Sequence, residues 1–272
     1  MDSGFSERCV VDTNTVRRPE PFGTDYGVIH KLIVTGRRVG ADRDFYSRLA
    51  DDPALFQQVV NFVNGGNPAE GGTTTPEIAS QIMGDNFHGI DALKRHLGVE
   101  LSAEFKKLFL NVPFSAEVLQ ACRETHVLVA CGPLSLMDVW QAQTGLFYAK
   151  SELWYGGSSE QFAQRQVKAG WQLVRKNPVP GSTNKTWDEQ NGLLGTDEQV
   201  PSASVLAQAI LIHYLETGKR LFGQIYVRVS DVDSDGGRVY VGGFDEDGLY
   251  DNGYWGDDRS SIFGLSSSRK FS

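Results

Sequence analysis

The apolar positions of this chain change period several times, and each change marks an element. Residues 1 to about 43 are polar and mixed, apart from residues 28–35, where clustered valine and isoleucine predict one strand. Asp51, Asp52 and Pro53 supply an N-cap and a first-turn proline, and Phe56, Val59, Val60 and Val63 recur at helical spacing until Gly65 and Gly66 stop the run. Residues 64–76 (NGGNPAEGGTTTP) sustain neither period, because glycine, proline and threonine break both, so a linker is expected there. Short helices follow: one at residues 90–97 ended by Gly98, one opened by Ser102, and one opened by Ser115 with Val118, Leu119 and Cys122 at apolar spacing. The segment ALKRHLGVELSAEFKKL has the outline of a DNA-reading helix-turn-helix. Lys94 stands where such a turn wants a small residue, so ordinary helix packing is the reading taken.

From His126 strand and helix alternate without a long gap. Residues 126–132 predict a short apolar strand, 133–143 a helix or turn, 145–150 another strand, and 157–170 a helix capped by Ser158. Residues 170–176 set Trp171, Leu173 and Arg175 against Gln172, Val174 and Lys176, the pattern of a half-buried strand. A long loop (177–201) leads to a helix opened near Ser202 and closed by Gly218; it is apolar on most faces and is therefore expected to be buried. Residues 221–229 then place Ile225, Val227 and Val229 on one face of a central strand. The fold class expected is α+β, with a helical N-terminal region over 1–113 and a second domain over 114–272.

Composition narrows the function classes. The 272 residues, 40% hydrophobic and 11% aromatic, are ample for a packed core. With 26 basic against 34 acidic side chains the formal charge is -8, which gives no long-range field for nucleic acid or an anionic membrane. Cys9, Cys122 and Cys131 form no C-x-x-C, so neither a complete disulfide pairing nor a zinc knuckle is expected. The N-terminus lacks the basic and apolar regions of a signal peptide and no window is long enough to span a bilayer, so the expected location is cytoplasmic. His30, His88, His96, His126 and His213 are scattered, nothing pairs a nucleophile with a base, and the chain is not expected to be an enzyme or to need a cofactor.

The last forty or so residues depart from the rest. Residues 231–272 carry nine carboxylates against four basic groups and are rich in glycine, serine, aspartate and tyrosine. Such a mixture usually stays disordered. Yet Val239, Val241, Phe244, Leu249, Tyr250, Tyr254, Trp255, Ile262, Phe263, Leu265 and Phe271 recur through it and need a core. The order of buried helix, strand, a Gly-rich segment with VGGF, a lone tryptophan and a closing GLSSSRKF resembles the C-terminus of the C-type-lectin-fold variable proteins of diversity-generating retroelements. The resemblance covers these residues best, extends loosely back to Gly132, and leaves residues 1–113 unexplained. It implies a C-type-lectin-like display domain whose closing strands carry exposed positions rewritten by adenine-directed mutagenesis.

An Asn codon randomised at its adenines reaches Tyr, Asp, Gly, Ser, Phe and Ile but never Trp, Lys, Glu, Gln or Met. Tyr240, Gly243, Asp245, Asp247, Tyr250, Asn252, Tyr254, Asp257, Asp258, Ser260, Ser261 and Ile262 are reachable and become the ligand-binding candidates; Trp255 and Glu246 are not. Trp255, Leu249, Val239, Val241, Gly264, Leu265 and Phe271 are expected to be scaffold, with Arg269 satisfying carbonyls or a carboxylate at the closing strand. Tyrosine with small polar residues is the mixture that antibody loops use, so the partner implied is a protein or other macromolecule. The rival reading starts from DVDSDG: Asp231, Asp233 and Asp235 open an oxygen-ligand loop, which would make this a calcium-dependent lectin or hydrolase using the carboxylates between Asp231 and Asp247. Its twelfth position is Gly242, not Glu, and an Asp-rich tight turn capping backbone amides explains the same residues, so these three are weak metal candidates.

Overall fold

Clustered β-branched residues do not keep residues 28–35 extended. In the computed structural model, which describes residues 26–38, 40–53, 56, 59, 73–149, 153–156, 160–254 and 256–270, this segment lies in a helix, Tyr26–Arg38. Ile29, Leu32 and Ile33 fit the helical period as well as the strand composition, and the period prevails. A second helix, Arg43–Asp51, is capped by Asp42, which accepts Phe45 N–H at 2.8 Å. Of the helix expected after Asp52, Pro53, Phe56 and Val59 are helical and Phe56 N–H donates to Asp52 carbonyl; its remaining residues, and the linker up to 72, lie outside the described residues.

The chain divides into two compact units, residues 1–60 and 61–272, so the break falls at the glycine-rich linker and not at 113. The reason is packing. Ala79, Met83, Phe109 and Val112 share one apolar cluster with Phe114, Leu119, Leu128, Ala130, Trp171 and Leu173, so a cut at 113 would split a core. The Thr74 hydroxyl also donates to the Phe114 carbonyl across that line.

Among the described residues of the second unit the strands are β1 (Phe87–His88), β2 (His126–Cys131), β3 (Gly170–Arg175), β4 (Glu198–Gln199), β5 (Tyr226–Val232), β6 (Arg238–Gly242), β7 (Tyr250–Tyr254), β8 (Phe263–Leu265) and β9 (Ser268–Arg269). They form a larger, five-stranded sheet in the order β1-β2-β3-β9-β4 and a smaller, four-stranded sheet in the order β7-β6-β5-β8. β1–β2 and β5–β8 pair parallel, the others antiparallel. This is an α+β fold.

Between the sheets runs the helix Ala203–Thr217, buried on every side from Ala203 to His213. It is apolar all round because Val127, Val129 and Val174 of the larger sheet and Val227, Val229, Val239 and Val241 of the smaller one close on it in a single core. Ser202 caps its N-terminus and Gly218, in the left-handed region at φ 71°, ends it. The larger sheet is covered on its other face by the helices Pro76–Met83 and Ala116–Cys122, which bury Trp171 and Leu173, while Val174 is buried on the central-helix side, so the expected half-buried strand packs on both faces.

Two expected elements differ. Residues 145–149 form no strand: Thr144–Leu146 is a 3-10 turn, and Phe147 makes an isolated bridge to Leu249. Gly248 permits this, since a Cβ there would stand 2.5 Å from the Phe147 carbonyl carbon. The helix expected over 157–170 shrinks to Gln161–Gln164, because Arg165 leaves it to pair with buried Asp231; Ser158 lies outside the described residues. The long loop holds the short helix Trp187–Asn191, with a capping box from Thr186 and Glu189, and β4.

If the central helix organises both sheets, Leu206→Ala, at a fully buried position facing that core, should lose roughly 2–5 kcal/mol in urea denaturation, and Ser202→Ala about 1 kcal/mol. Equal small losses for both would show that the helix is not the shared core.

Candidate ligand-binding face

Strand register decides which side chains of the C-terminal segment can meet a ligand. In β6, Val239 and Val241 enter the core, so Arg238, Tyr240 and Gly242 lie on the opposite, outer face. The ladders pair Tyr240 with Asn252 and Arg228, Gly242 with Tyr250 and Tyr226, Arg238 with Tyr254, and Tyr226 with Phe263. Tyr250 and Asn252 therefore share one outer face with Tyr226, Arg228, Tyr240 and Phe263.

One end of that face is covered. The Arg228 side chain is fully buried and donates to Lys185 carbonyl at 3.0 Å, Gln190 Oε1 at 3.1 Å and Asp258 carbonyl at 2.6 Å. Gln190 in turn donates to Ser182 carbonyl at 2.8 Å. Burial pushes the guanidinium below its usual pKa, but its acceptors are dipoles aimed at the charged form. Trp187 stacks on Arg238 with the guanidinium carbon 4.1 Å from the ring centre, Asn184 N–H reaches Ser260 carbonyl, and Arg259 pairs with Glu189 at 2.8 Å. Residues 256–262 are thus fastened over the outer face by the segment 182–191.

The other end is open and aromatic. Tyr250 lies 4.9 Å from Tyr148 and 5.6 Å from Tyr226, ring centre to ring centre, and Tyr226 lies 5.3 Å from Tyr240. Tyr148 is 55% exposed, while Tyr226 and Tyr250 are half-buried. Asp245, Glu246 and Asp247 stand exposed in the adjoining turn, where Asp245 accepts Asp247 N–H at 2.9 Å. The phenol of Tyr226 is raised above its usual pKa first by burial, then by Tyr250, Asp245 and Tyr148, which marks how close these groups lie.

The expected display residues separate into classes. Asp245, Asp247, Asp257, Ser261 and Ile262 are exposed; Tyr250, Asn252, Asp258 and Ser260 are half-buried. Tyr240 is a correction: it faces outward but is 8% exposed, because Tyr226 and Phe263 lie over it. Gly243 is another, since φ is 56° and a Cβ would stand 2.5 Å from the Tyr226 ring, so the position serves the backbone. The Tyr254 side chain, Trp255 and Phe271 lie outside what is described. Leu249 is buried as scaffold, and Arg269 pairs with the Asp197 carboxylate. Tyr226 was missed although its neighbours Val227 and Val229 already set it on the other face; Tyr148, a hundred residues upstream, left no sequence signal.

The aspartates of DVDSDG do not converge. Asp231 is buried and accepts Ala203 N–H at 2.6 Å, while Asp233 accepts Asp235 N–H at 3.0 Å and Gly237 N–H at 2.7 Å. Among the described residues no group of three or more His, Cys, Asp or Glu side chains is placed to hold a metal ion.

Beneath the face, Asp251 points inward, buried, and accepts the Tyr155 hydroxyl at 2.9 Å; burial pushes its carboxyl up to about 7. The folded chain then holds this proton where the unfolded chain has released it, so the contribution is complete below about pH 4 and is lost as pH rises through 7. His88, His126 and His213, pushed down to about 4 chiefly by burial, act oppositely and weaken the fold as pH falls from about 6.5.

Two outcomes are expected. Asp257→Ser, Ser261→Ala and Ile262→Ser should each change unfolding free energy by within about 0.5 kcal/mol, whereas Tyr240→Ser and Leu249→Ala should lose roughly 2–5 kcal/mol. Asp251→Asn should gain on the parent chain by up to about 4 kcal/mol between pH 4 and pH 8, read from urea midpoints; a pH-independent difference would mean that Asp251 is ionised throughout. Comparison with protein-family models, with curated proteins and with solved structures finds no match to this chain.

Proposed function

We propose that this is a ligand-binding protein whose C-terminal strands display a retroelement-diversified surface on a C-type-lectin-like scaffold. The observation that carries the reading is the shared outer face of Tyr226, Tyr250 and Asn252 over a sheet whose inner face is Val239, Val241 and buried Asp251. The exposed candidates Asp245, Asp247, Asp257, Ser261 and Ile262 stand apart from Val239, Val241 and Leu249, which the core needs, so these positions can vary without loss of stability.

Rigid tyrosines flanked by small polar residues lose little freedom on binding, and an outer face pinned by Arg228 and Gln190 favours docking with little backbone change. Tyr250 is the expected anchor, with Tyr148 beside it. Exposed Asp245, Glu246 and Asp247 would steer a basic partner at a rate that falls with salt. Among the described residues no helix is long and apolar enough to cross a membrane.

Sequencing the gene across one cell population, together with its flanking DNA, tests the proposal. Substitutions should concentrate at codons 245, 247, 250, 252, 257, 261 and 262 and spare those of Val239, Val241 and Leu249, and a near-copy of the final codons should lie beside a reverse transcriptase gene. Invariant codons and no repeat would remove the retroelement reading.

A further inference from the structure

Away from the display face, the second unit carries a cleft of about 820 Å³ formed by the turn after the helix Pro76–Met83, the end of β3 and the segment following the central helix. Its lining includes Arg123, Lys176, Lys219 and Arg220 against Asp85 and Glu124, an excess of positive charge on a chain whose net charge is -8. Two of the cations are engaged by carboxylates: Lys219 lies 3.5 Å from Asp85, and Arg123 lies 3.2 Å from Glu124. The other two are not. Arg220 is held flat over Tyr214 and Phe244, 4.9 and 5.4 Å from the ring centres, which fixes its guanidinium beside the cleft. Lys176 is half-buried, with one long hydrogen bond of 3.4 Å to Asn86 Oδ1 and no carboxylate in ion-pair range among the described residues.

The cleft also has a buried polar wall. His213 is 2% exposed and lines it, and its Nδ1 is bonded at 2.9 Å to Nε2 of His88, itself 3% exposed. That bond leaves Nε2 of His213 as the ring nitrogen available to the cleft, without a protein partner among the described residues. Lys176 thus keeps donor capacity toward the cleft beside the imidazole edge of His213.

We infer that this cleft binds the phosphate group of a small molecule, with Lys176 and His213 as its direct ligands and Lys219 and Arg220 closing the charge. A phosphate near -2 matches the net excess of two positive charges; a carboxylate leaves one uncompensated. The Lys176 stem, packed at the cleft wall, holds the ammonium in place so that little freedom is lost on binding.

The test is calorimetric titration of the full chain with inorganic phosphate at pH 7.5, with sodium chloride at matched ionic strength and sodium acetate as comparison arms. Phosphate should bind saturably, acetate at least about tenfold more weakly, and chloride not at all. Lys176→Met should weaken phosphate at least about tenfold, and Lys168→Met, at an exposed site outside the cleft, should leave it unchanged. Should Lys176→Met fail to fold, Lys219→Ala, whose side chain is 67% exposed, gives the same reading through a smaller loss. No saturable binding by the parent chain, equal binding of acetate, or unaltered binding by the Lys176 or Lys219 variant would each overturn the assignment.

Discussion

The packing of the second unit depends on one helix with no wet side over most of its length. Because Ala203–His213 is buried around its whole circumference and largely apolar, it has to be enclosed, and the two sheets are the enclosure. Each sheet thereby spends one face on the helix. The larger sheet loses its second face to the helices of residues 76–122, while the smaller one leaves part of its second face open to solvent. Two of the polar groups inside bind backbone: Gln208 exchanges hydrogen bonds with Gly132 at 2.8 and 3.3 Å, and Asp231 caps the helix at Ala203. Such groups fix the height and rotation of the helix, since a slip of one residue would leave them unpaired in a dry core.

A second buried group carries the order outward. Arg228 could be replaced in a core only at the expense of three acceptors, the carbonyls of Lys185 and Asp258 and the Gln190 side chain. Those acceptors belong to segments with little regular structure, and the guanidinium ties both to β5. The serines of the closing GLSSSR serve the same end: Ser266 donates to Arg228 carbonyl at 2.7 Å and Ser267 to Glu198 at 3.0 Å, as the chain crosses from the smaller sheet to the larger. A composition that would otherwise remain disordered is held by buried polar bonds, which leaves its exposed side chains free of structural duty.

The two candidate binding regions differ in kind. The outer sheet face offers aromatic area with an acidic margin, suited to a large basic partner, whereas the cleft behind the central helix offers concentrated positive charge around a buried imidazole pair. Both draw on the central helix, through the sheet it supports in one case and through His213 in the other.

Much of this was legible without coordinates. Caps at Ser102, Ser115 and Ser202, stops at Gly98 and Gly218, and the strands at His126, Gly170 and Val227 follow from local period and local hydrogen-bonding chemistry, which a sequence states directly. Apolar character likewise separated Leu249 and Val241, which need a core, from Asp257 and Ser261. The helix at Tyr26 and the missing strand at 145–149 were not legible, because each turns on what a segment packs against. The same holds for the burial of Tyr240, the fixed Gly243 and the recruitment of Tyr148 and Tyr226 to the face. Sequence period determined which residues alternate; only the pairing of β5, β6, β7 and β8 around a shared helix decided which side of the alternation meets water, because register joins residues that are distant along the chain.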